Sequence, residues 1–190
     1  MPVELEYKYL VDKSQVTSAE FLTELESQGI FYDIQGITQG YLPKAGRLRK
    51  IVRYNDVNGI PDERFVFTYK HKLSFQPGDF EIETDISEND FYLGSKDCSF
   101  NIDKTRVTFN SGPHTWEVDF FNDKTKGGKP EHYLILIECE VQDGKRPDLN
   151  YLPSSLRSAI QYTVPLGDSR FSNKNLSFIE HVEDLYKTCK

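Results

Sequence analysis

The stretch VELEYKYL, residues 3 to 10, places glutamate, glutamate and lysine at every second position. Strand side chains alternate with a period of two, so Glu4, Glu6 and Lys8 point one way while Val3, Leu5, Tyr7 and Tyr9 point the other. Glutamate and lysine are poor strand formers. Their spacing on one face therefore has a cause other than backbone preference.

The same alternation recurs along the chain. QGYL (39–42), RLRKIVRY (47–54), RFVFTYKHK (64–72), FEIETDIS (80–87), KTRVTF (104–109), HTWEVDFF (114–121) and YLILIECEV (133–141) each read as a strand, with turn residues such as NDVNGIPDE, SGP and KGGKP between them. Arg47, Arg49 and Arg53 share a parity, as do Lys70 and Lys72, then Glu81, Glu83 and Asp85, Lys104 and Arg106, Glu117 and Asp119, and Glu138 and Glu140. The opposite faces are mostly apolar: Leu48 and Val52, Phe65 and Phe67, Ile82 and Ile86, Val107 and Phe109, Trp116 and Val118, Ile135 and Ile137. Helices fit four places. Thr17 stands three residues before Glu20 in TSAEFLTELESQG (17–29), a capping-box spacing that starts a helix of about three turns. Ser87 precedes a short helix in ENDFYLGS, and PSSLRSAI (153–160) and NLSFIEHVEDLYK (175–187) supply two more.

The sum is an α+β protein, one domain over residues 1–190, dominated by about eight antiparallel strands. Helices cover the apolar side of such a sheet, and its charged side faces a lumen or water. Mixed charges on a single strand merely keep an edge soluble. Repetition over seven strands is different, because like charges about 7 Å apart repel unless partners or ligands offset them. Convergent carboxylates suit hard divalent cations, and convergent arginine and lysine suit phosphate oxygens. Both on one face point to a metal-bridged polyphosphate.

Composition narrows the classes further. With 23 basic and 30 acidic residues the formal net charge is -7, which argues against general attraction to nucleic acid or an anionic membrane. No apolar run is long enough to span a bilayer and no leader pattern opens the chain, so a cytoplasmic protein is expected. Cys98, Cys139 and Cys189 are odd in number and lack metal-ligand spacing, as the four scattered histidines also do.

ELEYK, residues 4 to 8, is similar to the ExExK motif of the CYTH superfamily, the triphosphate tunnel metalloenzymes. Its order with QGYL, RLRK, TYK, EIE, KTR, WEVDFF, IECE and the late DSRFSNKNLS resembles that family over about residues 3 to 177. The resemblance implies an eight-stranded antiparallel β-barrel, open at both ends, with helices packed outside and a triphosphate bound within. By matching motif, Glu4, Glu6, Glu138 and Glu140 would ligate Mg²⁺ or Mn²⁺, with Glu81 and Glu83 as further acidic participants. Lys8, Arg47, Arg49, Lys70, Lys104 and Arg106 would hold the phosphates, joined by Arg170 from the late segment.

ELEYKYLV, QGYL and SRFSNKNLS look most like the bacterial stand-alone inorganic triphosphatases. Lys174 departs from the late motif, where a small polar residue is usual, and NDKTKGGKPEHYLIL is longer than the corresponding loop; both bear on substrate preference. Relatives from plants and animals use a late lysine near the attacking water, which gives Lys174 a catalytic reading beside that of an exposed loop lysine. Phosphoryl hydrolysis needs charge neutralisation and an in-line water, and Asp168 in GDSRFSNKN is the residue expected to orient that water. Lys8 completes the catalytic set. The expectation is hydrolysis of inorganic triphosphate, with thiamine or nucleoside triphosphates next. The rivals are a class IV adenylate cyclase and a non-catalytic polyphosphate- or nucleotide-binding module.

Overall fold

A computed structural model describes residues 5–43, 46–54, 61–72, 79–123, 132–141 and 145–189. The fold is α+β and built on nine strands, antiparallel in every pair whose register is described. They are β1 (Leu5–Val11), β2 (Tyr32–Tyr41), β3 (Gly46–Arg53), β4 (Asp62–Lys72), β5 (Asp79–Asp85), β6 (Phe100–Ser111), β7 (His114–Asn122), β8 (His132–Val141) and β9 (Ile160–Val164). The helices are α1 (Ser18–Ser27), α2 (Glu88–Ser95), α3 (Ser154–Ser158), α4 (Asn173–Leu176) and α5 (Ile179–Thr188). No helix among the described residues is long and apolar enough to cross a membrane. The chain divides into two compact units, Met1–Asp33 with Thr105–Lys190, and Ile34–Lys104.

In the first unit the strand order runs from the C-terminal part of β6 through β7, β8 and β1 to β9. The expected capping box starts α1: Thr17 Oγ1 accepts from the Glu20 amide at 3.2 Å, and the Glu20 carboxylate accepts from the Thr17 amide at 3.1 Å. The helix ends where Gly29 takes φ +68°, with Gly29 N donating to Glu26 O and Ile30 N to Leu25 O. Phe21 and Leu25 are fully buried, and the Phe21 ring lies 5.8 Å from Phe109 and 6.1 Å from Phe120. Thus α1 covers the apolar face of β6 and β7, as the alternation required. Each such ring contributes about 1.5–3 kcal/mol by leaving water.

Helix α3 follows Pro153, which offers no side-chain cap, and Glu24 of α1 does that work instead. Its carboxylate accepts from Ser154 N at 2.6 Å, Ser155 N at 3.0 Å and Ser154 Oγ at 2.7 Å. Burial raises the Glu24 carboxyl, but the hydrogen bonds from Ser155 and Ser154 outweigh it and bring its pKa down to about 2. A carboxyl lowered on folding stabilises the protein above its unfolded pKa and loses that contribution as pH falls through the folded one. Glu24→Gln is therefore expected to cost about 1–2 kcal/mol at pH 7, after discounting for partial solvent screening. In urea unfolding the gap from the parent should shrink between about pH 4.5 and pH 2; a gap that persisted undiminished at pH 2 would refute the linkage.

The second unit has the order β5-β4-β3-β2, with the N-terminal part of β6 beside β2. Ser87 caps α2 as expected, accepting from Asp90 N at 3.1 Å. Phe91 of α2 is buried, 5.3 Å from the Phe65 ring of β4. A Cβ at Gly94 would lie 2.8 Å from Leu48 Cδ1, so glycine lets α2 come down onto β3.

Five expectations need correction. QGYL is only the end of a ten-residue β2, and KTRVTF lies within a twelve-residue β6. The helix at 153–160 stops at Ser158, because Ile160 begins β9, a ninth strand paired with β1. The late helix is broken into α4 and α5 at Ser177 and Phe178. Finally, Ile82 on the nominally apolar face of β5 is 50% exposed.

Candidate functional site

Directly opposed residues of an antiparallel pair point to the same side of the sheet. In the first unit Lys8 opposes Glu138, Glu138 opposes Glu117, and Glu6 opposes Glu140. The carboxylates of the first strand and of IECE are thus on hydrogen-bonded neighbours. Lys8 Nζ donates to Glu138 Oε1 and lies 2.8 Å from Glu6 Oε2. Arg106 fans out over the same face: Nε and Nη2 donate to Asp119 Oδ1 and Oδ2, both at 2.6 Å, Nη2 also reaches Glu138 Oε2 at 2.8 Å, and Nη1 pairs with Glu117. Glu138 therefore gives one oxygen to each cation.

Exposure grades this cluster from a buried base to an open rim. Asp119 is fully buried and Glu138 is 3% exposed, whereas the Glu6 side chain is 42% exposed. Burial alone would lower the Lys8 ammonium, but the carboxylates of Glu138 and Glu6 overcome it and hold it above its ordinary range. Burial likewise opposes the Arg106 charge, and Asp119, Glu138 and Glu117 raise it further still.

The charged parity does not continue to the other end of these strands. Leu10, Leu134, Leu136 and Phe121 occupy it there, all fully buried, so the acid–base cluster stands on an apolar floor. The late segment is tied to the same strands. Phe171 stacks on Tyr162, the partner of Leu10, at 6.1 Å and 19°, and Tyr133 Oη donates to Leu176 O at 3.0 Å. Asp168 accepts from the Arg170 amide and binds the Arg170 guanidinium, Nη2 to Oδ2 at 2.6 Å. The Arg170 hydrogen bonds hold the Asp168 carboxyl below its usual range. Lys174 stands in the last turn of α4.

In the second unit Arg49 Nη2 binds Glu83 and donates to Thr68 Oγ1 at 3.2 Å, and Arg64 Nε donates to Asp85 Oδ1 at 2.6 Å. Arg47 opposes Thr68 and is half-buried, and Lys104 is 3% exposed. Lys70 and Glu81 oppose each other on β4 and β5, and their side chains lie outside the described residues. Glu4 also lies outside them.

Among the described residues no group of three or more His, Cys, Asp or Glu side chains is disposed to hold a metal ion. Glu6, Glu117, Asp119 and Glu138 supply carboxylate oxygens, the donor class that hard divalent cations take, and all four are engaged by Lys8 or Arg106. In this arrangement the Lys8 ammonium occupies the position where the Glu6 and Glu138 oxygens converge. Glu117 and Asp119 are the site residues that the sequence reading left in the stripe without a role. The signal for Asp119 was present in VDFF, where an acid among Val118, Phe120 and Phe121 must be buried and therefore partnered.

No protein-family model and no curated protein matches the chain. Similar solved structures include a conserved hypothetical protein from Pyrococcus furiosus, 18% identical with a TM-score of 0.39, covering 82% of this chain and 85% of that one. The PH1819 protein of Pyrococcus horikoshii OT3 is 17% identical with a TM-score of 0.42, covering 82% and 85%. The Schizosaccharomyces pombe Mediator head module gives 9% identity and a TM-score of 0.45 over 98% of this chain and 96% of that one.

Proposed function

We propose that the chain is a divalent-metal-dependent triphosphatase of the triphosphate tunnel type, one cytoplasmic domain over residues 1–190 that acts on a small-molecule triphosphate. The observation that supports this most is the convergence of Lys8 and Arg106 with Glu6 and Glu138 on one face, residues that the ExExK, KTR and IECE motifs had picked out. Inorganic triphosphate is the first candidate substrate. Lys8, Arg106, Arg47 and Arg49 bind its oxygens, and Lys104 and Lys70 add positive charge. Glu6 and Glu138, with Glu4 and Glu140, hold Mg²⁺ or Mn²⁺, which when bound neutralises phosphate charge and lowers the pKa of water.

Charge supplies the reason for a metal requirement. Four carboxylates, those of Glu6, Glu117, Asp119 and Glu138, crowd around Lys8 and Arg106. Carboxylates beside its binding groups repel a polyanion, and a divalent cation offsets that repulsion. Excess chelator is thus expected to abolish phosphate release from triphosphate, and turnover undiminished by chelator would sink the proposal. The deciding assay measures phosphate, pyrophosphate and cyclic-nucleotide products from triphosphate, thiamine triphosphate and ATP with each metal in turn. Cyclic nucleotide would identify a cyclase, and metal-dependent binding without product a binding module.

Arg49→Ala separates binding from folding. Arg49 is a part-exposed partner of Glu83, so its loss should change stability by no more than about 1 kcal/mol. Triphosphate kcat/KM should fall by about 10-fold or more, since a guanidinium facing phosphate contributes charge-assisted hydrogen bonds. Insoluble protein would show that Arg49 packs in the core instead.

A further inference from the structure

On the face of β1 turned away from Lys8, Tyr9 is fully buried, and its hydroxyl has no hydrogen-bond partner among the described residues. Buried donors are nearly always paired, because leaving one unpaired costs free energy. Tyr9 opposes Thr163 of β9, which places the two side chains on one side of the sheet. Arg146, from the segment after β8, lies over both. Its guanidinium carbon stands 6.0 Å from the centre of the Tyr9 ring, and Nη2 donates to Thr163 Oγ1 at 2.9 Å. Arg146 is exposed, and no Asp or Glu among the described residues pairs with it.

Donors gather here without an acid to take them. Burial raises the Tyr9 phenol, and although Arg146 opposes that shift, the hydroxyl keeps its proton at neutral pH. The Thr163 hydroxyl accepts from Arg146 and still has its own proton to give, and the guanidinium has further N–H groups beyond the one that Thr163 takes. A neighbouring carboxylate would have consumed these donors, as Asp119 does for Arg106.

We infer that Arg146, Tyr9 and Thr163 form a binding site for a tetrahedral phosphoryl oxyanion, on the side of the sheet opposite to the Lys8–Arg106 cluster. Arg146 supplies the charge and a fork that spans two oxygens. Thr163 Oγ1 donates to a further oxygen, and Tyr9 Oη to another once Arg146 turns off its ring. Donors arriving from separate residues match an anion with oxygens in several directions better than a planar carboxylate, which the guanidinium alone would satisfy. The site is independent of the triphosphatase reading, since neither Lys8 nor Arg106 takes part.

Inorganic phosphate is the probe, titrated into the full chain in excess chelator so that metal–phosphate complexes play no part. The Arg146 Nε and Thr163 amide resonances should move together and saturate while Lys8 Nζ stays in place. No saturable movement of Arg146, or movement of Lys8 alone, would overturn the inference, and this reading needs no variant to fold. Arg146→Gln is expected to weaken phosphate binding about 10-fold or more, as loss of charge-assisted bonds does; affinity equal to the parent's would count against the site. Tyr9→Phe should weaken it about 3- to 10-fold, the worth of one hydrogen bond. Because the Tyr9 hydroxyl is unpaired in the free protein, the same variant should melt no lower than the parent in phosphate-free buffer. A lower melting temperature would mean that a buried water already satisfies the hydroxyl, and the site would be lost with it. Acetate should move Arg146 less than phosphate does at the same concentration; an equal shift would overturn the choice of a tetrahedral anion.

Discussion

Asp119→Ala is expected to destabilise the protein by about 3–5 kcal/mol, as breaking one side of a buried ion pair does. Asp119 is fully buried and accepts from Arg106 through both oxygens, so its loss takes the acceptor from two guanidinium N–H groups. Glu138 and Glu117 keep hold of the other end of the fork but cannot reach Nε without abandoning their present geometry. For a chain of this size the loss corresponds to a fall in melting temperature on the order of 10 °C. Asp119→Asn should cost less, because its amide oxygen still accepts one of the two bonds. Urea unfolding at pH 7 checks both variants. A loss under about 1 kcal/mol for the alanine variant would mean that the pair behaves like a solvated surface contact. This result tests the geometry of the cluster independently of any activity.

The features legible in the sequence are those whose cause is local. Thr17 and Glu20 announce the start of α1 because a capping box needs only four residues, and Ser87 announces α2 for the same reason. Strand parity was readable wherever one face is buried and the other wet. It failed where that contrast fails: Leu10, Leu134 and Leu136 share the parity of Lys8 and Glu138, but they lie beneath the cluster and are fully buried. IQYTV alternates apolar and polar residues, but over only five positions directly after the helical SSLRS, a run too short to mark the change of element in the sequence. Parity also says which charges share a face and nothing about which of them meet. That Glu138 lies between Lys8 and Arg106 is set by the registers of β1 with β8 and β8 with β7, which join residues far apart in the chain. Asp168 illustrates the same gap, since its two-residue bond to Arg170 depends on the turn that forms there.

Glu138→Gln is expected to reduce triphosphate turnover by about 100-fold at a fixed Mg²⁺ concentration, on the proposed reading, because one carboxylate serves both cations and the metal. Its nearly buried oxygens divide between Lys8 and Arg106, so the neutral amide weakens both contacts and lowers the charge that would attract a divalent ion. Glu6→Gln should act in the same direction more weakly, about 10-fold, since Glu6 is the open-rim partner of Lys8 and is largely solvated. Both variants should raise the Mg²⁺ concentration needed for half-maximal activity. Because Lys8 links the two carboxylates, the double variant should cost clearly less than the product of the single losses, as for groups that act as a unit. The comparison is made with full Mg²⁺ titrations at saturating triphosphate, so that metal affinity and turnover separate. Losses that simply multiply, or a Mg²⁺ requirement that neither change moves, would show that Glu6 and Glu138 serve separate functions. The pairing of both with Lys8 would then be a feature of stability rather than of metal binding, a distinction that the unfolding free energies of the same three variants would draw.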